Sequence, residues 1–266
     1  MIDFHNHVLP NVDDGPTSME MSLSMLQTAA EQGITDVVNT VHYQHPKIGG
    51  KEVGIDDLRF KIEDLLKRSK KRGIDINIHL GAEVFYLPNL LKIVEDPHVT
   101  MGNGRYMLIE FPFHMLPDGH EQVLFELKMK GITPIIAHSE RYRPVQQNLE
   151  IVRNWIYSGC LIQVDGGSLL GYLGRSAKES AGKIISEGLC HIIGSDVHDD
   201  RRRNFCLEKA VTVGKELMGD QIIEMVTTIP EKILKGEPVE IEEIEVTYQS
   251  PTFLDKIKRR FDIIWN

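Results

Sequence analysis

The feature that most limits how this chain can fold is a regular alternation of short β-like runs with helical stretches. Seven runs read as strands: Ile2 to His7, Asp36 to His42, Asp75 to Glu83, Tyr106 to Phe111, Thr133 to His138, Leu161 to Asp165 and His191 to Asp196. Helical periodicity lies between them at 17–32, 56–72, 118–130, 145–158, 176–187 and 204–217, the first opening on Thr17 and Glu20 at capping-box spacing after Pro16. Gly33, Gly73, Gly131, Gly159 and Gly188 stand where helix C-caps belong. Alternating elements imply a parallel sheet covered by helices. Seven such repeats in 266 residues favour closure into an α/β barrel over the competitor, an open doubly wound sheet. The first strand has no GxGxxG after it, and the Gly-Asn-Gly at 102–104 precedes a strand rather than a helix, so a dinucleotide site is poorly supported.

The length suits a single domain spanning 1–266. Near its end, at 252–264, Phe253, Leu254, Ile257, Phe261 and Ile264 fall on one helical face with Lys256, Lys258, Arg259 and Arg260 around it. This predicts a terminal helix packed on the body or on a neighbouring subunit of a homo-oligomer. The acidic stretch 237–246 reads as an exposed edge or surface segment. With 39 acidic against 30 basic residues the net charge is −9, which argues against a nucleic-acid partner. No leader-like start and no apolar run of about 18 residues is present in the sequence, so the expectation is a cytoplasmic chain with no membrane span. Cys160, Cys190 and Cys206 are odd in number and form no CxxC pair, which argues against a disulfide framework and a thiolate zinc site.

The polar residues that finish the strands are the chemical signal: His5 and His7, His42, Glu83, Glu110, His138, and Asp196 with His198. Residues two apart on a strand face one side, so Asp3, His5 and His7 are expected on one face with Ile2 and Phe4 on the other. In a closed βα barrel the carboxyl ends of all strands meet at one rim, where such folds build active sites. A single histidine at a strand end has an ordinary reading as a hydrogen-bonded core or surface residue. Five histidines, two glutamates and one aspartate at six of the seven strand ends do not. Eight N/O ligands exceed what one tetrahedral ion needs and suit two or three ions of the Mn, Fe or Zn type. Three carboxylates against three divalent ions leave surplus positive charge, which favours an anionic substrate such as a phosphate.

The stretches "DFHNHVLPNVDDG", "TVHYQHP", "GAEVFY", "LIEFPF", "AHSERYRP" and "GSDVHDD" resemble, in order from residue 2 to about 205, the motifs of the polymerase and histidinol phosphatase (PHP) superfamily. The resemblance is closer to its bacterial capsule and exopolysaccharide tyrosine phosphatases. It implies a distorted TIM-like (βα)7 barrel with three divalent metal ions, usually Mn²⁺. By motif, His5, His7, Glu83 and Asp196 hold one ion, Glu83, Glu110 and His138 a second, and His42, Glu110 and His198 a third. Arg141, and Arg203 with Arg202 beside it, fall where that family has phosphate-contacting arginines. The chain departs from the family's common TPHH in placing Tyr43 after His42, with His45 two positions further on.

The implied chemistry is hydrolysis of a phosphate monoester, with metal ions lowering the pKa of water and two arginines gripping phosphoryl oxygens. A tyrosine phenol leaves more readily than an alkyl alcohol and needs little protonation. Asp14 is a candidate to position water or donate that proton; capping of the turn, shared with Asp13, is the other reading. The resemblance implies a phosphotyrosine protein as substrate, a bacterial tyrosine kinase tail in particular. The alternative within the superfamily is a histidinol-phosphate or other small-molecule phosphatase; a kinase-tail binding protein and an exonuclease are further readings.

Overall fold

The computed structural model describes residues 1–49, 53–101 and 104–240. Its parallel strands β1 (Ile2–Asn6), β2 (Asp36–Tyr43), β3 (Asn77–Phe85), β4 (Tyr106–Glu110), β5 (Thr133–Ile136), β6 (Leu161–Asp165) and β7 (Ile192–Gly194) pair in sequence order. The sheet then meets itself: Asp196 N–H donates to His5 O at 2.8 Å and His7 N–H to Val197 O at 3.0 Å. A doubly wound sheet would place β1 in its interior. Here β1 is joined to both β2 and the end of β7, so the fold is the expected α/β barrel.

The covering helices are α1 (Met19–Glu31), α2 (Ile55–Lys71), α3 (Leu90–Ile93), α4 (His120–Met129), α5 (Arg143–Gln147), α6 (Glu150–Tyr157), α7 (Gly166–Leu170) and α8 (Arg175–Ser186), with α9 (Leu207–Met218) and α10 (Thr228–Lys235) after β7. All five glycines expected at helix ends have positive φ, between 70° and 84°. Two local expectations fail. The cap of α1 is Ser18, whose Oγ accepts from Met21 N–H at 3.2 Å, and not Thr17. The stretch 145–158 is two helices, because Asn148 leaves helical space and its Oδ1 accepts from Glu150 N–H at 3.1 Å to start α6. The glycine-rich run after Asp165 forms α7, begun by Asp165 accepting from Gly167 N–H at 2.7 Å. The segment 252–264 and most of 237–246 lie outside the described residues.

The barrel has two apolar layers. Val37, Val84, Ile109, Ile136, Ile162 and Ile193 face the helices. Phe4, Val38, Leu108, Ile135, Leu161 and Ile192 fill the lower lumen. β1 breaks the simple alternation: Asp3 pairs with Val37 but Asn6 with Asn39, so β1 carries one extra residue between these pairs. Asp3 therefore faces outward, where it accepts from Ser195 N–H at 3.1 Å, while Phe4 is in the lumen. A bulge of this kind re-aims side chains. It returns His5 and His7 to the lumen above Phe4, correcting the expected grouping of Asp3 with the two histidines.

Candidate metal centre

The strand ends deliver eight ionisable side chains to the rim. His5 and His7 come from β1 and its exit, His42 from β2, Glu83 from β3, Glu110 from β4, His138 from beyond β5, and Asp196 and His198 from beyond β7. None is more than 8 % exposed. Ionisable groups that deep must be paired or hold a cation. Glu83 is the hub: Oε2 lies 3.2 Å from His5 Nε2, 3.4 Å from His7 Nε2 and 3.1 Å from His42 Nδ1, and Oε1 lies 2.9 Å from His138 Nε2. Asp196 Oδ1 completes one corner at 3.4 Å from His5 Nε2 and 3.6 Å from His7 Nε2.

Four groups bring ligand atoms close enough together to share an ion. Two of them, His5–His7–Glu83–Asp196 and Glu83–Glu110–His138, have the members of the first two sets implied by the family resemblance. The third set, His42–Glu110–His198, is not among them. His42 and His198 instead gather with His7 and Asp14, and Glu110 gathers with His42 and His45. Asp14 Oδ1 lies 3.1 Å from His42 Nε2 and 3.2 Å from His198 Nε2. Turn capping falls to its neighbour: Asp13 Oδ1 accepts from Gly15 N–H at 3.0 Å.

The donors are oriented as a metal centre requires. His7 Nδ1 is 2.8 Å from Asp13 Oδ2, His5 Nδ1 is 3.2 Å from Gln163 Oε1, and His198 Nδ1 is 2.9 Å from Asp196 O. Gln163 is itself fixed, accepting from His138 N–H at 2.6 Å and donating to Val164 O at 2.9 Å. Each partner is an acceptor, so each Nδ1 donates and the Nε2 lone pair faces the centre. The Nε2 atoms of His5 and His7, both ring nitrogens of His42, His138 Nδ1 and Glu110 Oε2 are buried without a hydrogen bond. Buried polar atoms are rarely left so in folded proteins, and such a set of unsatisfied N and O donors fits divalent cations. Asp13 and Gln163 carried no sequence signal beyond proximity to the DDG turn and a lumen-facing place on β6.

The field of the site is negative. Burial would lower the His42 imidazole, but the nearby Glu83 and Asp14 carboxylates push it up to about 10. The same opposition raises His5, where burial is outweighed by Glu83 and Asp196. Burial would raise Glu83, but His5 and His42 hold it well below its ordinary range. Asp14 is also lowered: burial opposes, and the His198 and His42 rings beside it prevail.

Two arginines border the centre. Arg141 Nη1 donates to Asp196 Oδ2 at 2.5 Å and Arg203 Nη2 to the same oxygen at 2.6 Å. Asp196 thus turns one oxygen to the histidines and the other to the guanidinium pair. Arg141 also lies over the Phe113 ring, 4.6 Å from its centroid. Arg202, the neighbour considered with Arg203, is exposed. Backbone strain sits at the same place. His138 has φ 29° and Asp196 φ 45°, a region that costs a non-glycine residue about 1–3 kcal/mol. Gly194 lets β1 approach, since a Cβ there would lie 2.7 Å from His5 Cβ. Burial pushes the Cys160 thiol up to about 12, and Cys190 and Cys206 also rise, so none is a thiolate nucleophile.

A βα barrel whose rim gathers buried histidines and carboxylates beside paired arginines has the architecture of a metal-dependent hydrolase. Comparison with known proteins makes this specific: the model of the capsular polysaccharide synthesis family CpsB/CapC matches residues 1–235, and the chain belongs to that family. It is 30% identical over 240 residues to tyrosine-protein phosphatase YwqE of Bacillus subtilis strain 168, covering 90% of this chain and 93% of that protein. It is 30% identical over 244 residues to tyrosine-protein phosphatase CpsB of Streptococcus pneumoniae, covering 89% and 99%. Among solved structures, it superposes with a TM-score of 0.84 on one from the work on B. subtilis YwqE and S. pneumoniae CpsB, described as unique metal-dependent tyrosine phosphatases. The identity there is 29%, with 90% of this chain and 96% of that chain covered.

Proposed function

We propose that this protein is a metal-dependent tyrosine phosphatase that removes phosphate from phosphotyrosine in a protein substrate. The observation that carries the reading is the position of Asp196, shared between the histidine centre and the Arg141–Arg203 pair. Cation ligands and anion-binding guanidinium groups meet there on one carboxylate. The names of the relatives support the choice of tyrosine.

Three divalent ions, Mn²⁺ first and Fe or Zn as substitutes, suit the donor set. His5, His7, Glu83 and Asp196 would hold one, and Glu83, Glu110 and His138 a second. His42 and His198 would hold the third with a carboxylate, for which Asp14 is placed, its Oδ1 3.1 Å from His42 Nε2 and 3.2 Å from His198 Nε2. Bound there, the ions supply an activated water and neutralise phosphoryl charge. The chain's own residues do the rest. Arg141 and Arg203 bind the phosphoryl oxygens, and Phe113 holds the Arg141 guanidinium flat. Asp13 and Gln163 fix the histidine tautomers.

The physiological substrate is then a bacterial tyrosine kinase that controls capsule or exopolysaccharide synthesis, met in the cytoplasm. No helix among the described residues is long and apolar enough to cross a membrane. The test is a phosphate-release assay on protein stripped and reloaded with Mn²⁺, with a phosphotyrosine peptide and histidinol phosphate side by side. The expected result is metal-dependent turnover of the peptide that Glu110→Ala abolishes. Preference for histidinol phosphate would move the function to small-molecule metabolism.

A further inference from the structure

His45 lies past the end of β2, on the turn that begins with Gln44 at φ 49°. It caps the short 3-10 turn Pro46–Ile48, with Lys47 N–H donating to His45 Nδ1 at 3.1 Å. A backbone N–H can only donate, so Nδ1 holds the lone pair and the proton is on Nε2. His5, His7 and His198 have the reverse arrangement, each donating from Nδ1 to a protein acceptor.

His45 is grouped by distance with His42 and Glu110 as a possible cation site. Ligation through Nε2 would require that nitrogen to lose its proton while Nδ1 still accepts, leaving an imidazolate instead of the neutral ring that metals take. The hydrogen bonding therefore makes His45 a donor. Its ring plane is fixed by stacking on His42, with centroids 4.4 Å apart, and by the edge contact with Phe85 at 4.9 Å. Nε2 is 3.2 Å from Glu110 Oε2, yet that oxygen takes no hydrogen bond. The N–H is thus positioned at the centre without being consumed by it.

We propose that His45 contacts the substrate, its Nε2–H hydrogen-bonding the ester oxygen of the phosphoryl group. This rests on the phosphatase reading above. The arginines approach from the Asp196 side and take non-bridging oxygens, whereas His45 approaches from the Glu110 side with a single directed donor. As the ester P–O bond breaks, a P–O bond forms to water and the electron pair stays on the departing oxygen. The Nε2 proton remains on His45, and the departing oxygen receives its proton from the attacking water by way of solvent.

The experiment compares Mn²⁺-loaded wild type, His45→Asn and His45→Gln on phenyl phosphate and on p-nitrophenyl phosphate, whose phenolate leaves more readily. Bound metal is counted by mass spectrometry in each. Asn keeps an acceptor for Lys47 N–H, as a good cap does, but has no donor at the Nε2 position. The expected loss in kcat/KM is about ten- to hundredfold on phenyl phosphate, the range for a hydrogen bond to a charged group, and several-fold smaller on p-nitrophenyl phosphate. His45→Gln, whose amide N–H reaches the Nε2 position, recovers part of it, and metal content is unchanged throughout.

Loss of an ion in His45→Asn makes His45 a ligand and overturns the proposal. Equal losses on the two esters also overturn it, since a structural role does not distinguish leaving groups. ¹⁵N chemical shifts of the wild type loaded with diamagnetic Zn²⁺ read the tautomer independently of any variant, and an Nδ1-protonated His45 has the same consequence. A metal-loaded wild type inert to both esters removes the phosphatase reading, and this proposal with it; an active wild type with unselective variants removes this proposal alone.

Discussion

The same seven strands build two opposite environments. In the lower lumen Phe4, Val38, Leu108, Ile135, Leu161 and Ile192 pack with no charge among them. A few residues further along, the strands end in Glu83, Glu110, Asp196 and the histidines, equally buried. The lower half gains free energy from apolar burial, at roughly 25 cal/mol per Å². The upper half gathers like charges, unsatisfied nitrogens and positive-φ residues at His138 and Asp196. The difference shows which half supplies stability and which half spends it: the rim is tolerable because the packed lumen and helices hold its backbone in place.

The sharpest way to break the comparison is at the hub of the rim. Glu83→Gln keeps the shape but removes the charge that four histidines face. Several kcal/mol of metal-based catalysis should be lost, about a thousandfold or more in kcat/KM. The midpoint of urea unfolding in chelator-treated protein should fall by less than for a truncation in the lumen. A large loss of stability in this variant would mean that the rim holds the fold together and the division is wrong.

In the lower half the pattern should invert. Ile135 is fully buried in the lumen, and Ile135→Ala should cost about 2–5 kcal/mol from lost transfer energy and the cavity left behind. Urea denaturation gives that number directly. Activity per folded molecule, measured well below the unfolding midpoint, should stay within a few-fold of wild type. A collapse of kcat/KM without loss of stability would show that the lumen shapes the rim, rather than merely supporting it.

This division also decides what could be read in the sequence. The barrel and the gathering of the rim residues were legible because each strand end is marked by a polar residue after an apolar run, and because five of the six crossovers carry a glycine at a helix end. The facing of Asp3 was not, since counting by twos assumes an unbroken pleat and β1 carries an extra residue. The pairing of Asp14 with His42 and His198 depends on how the DDG turn folds back over the rim. The role of His45 depends on one hydrogen bond from Lys47, which periodicity cannot express. Glycine-rich 166–174 hid α7 because two glycines argue for a loop until Asp165 caps the turn they form. Local hydrogen bonds set the last two, and a bulge and the path of a turn the first two; residue spacing contains none of them.

The smallest expected effect separates two kinds of histidine. At the rim, carboxylates push His42 up to about 10. At the opposite end of the barrel, His191 precedes β7, and its Nδ1 accepts from Ile162 N–H at 3.2 Å. Burial without a carboxylate lowers this ring to about 4. As pH falls, the unfolded chain therefore takes up the proton first. The stability His191 contributes is fully present above about pH 6.5 and is lost progressively as the pH falls through about 4. Because the side chain is partly exposed, about 1–2 kcal/mol is the expected size. His191→Asn keeps an acceptor for Ile162 N–H and does not titrate. Its thermal midpoint should match wild type at pH 8 and fall less steeply between pH 6.5 and 4. Parallel curves would mean that the His191 ring is protonated in the folded protein without cost, and that the contrast between floor and rim does not extend to their histidines.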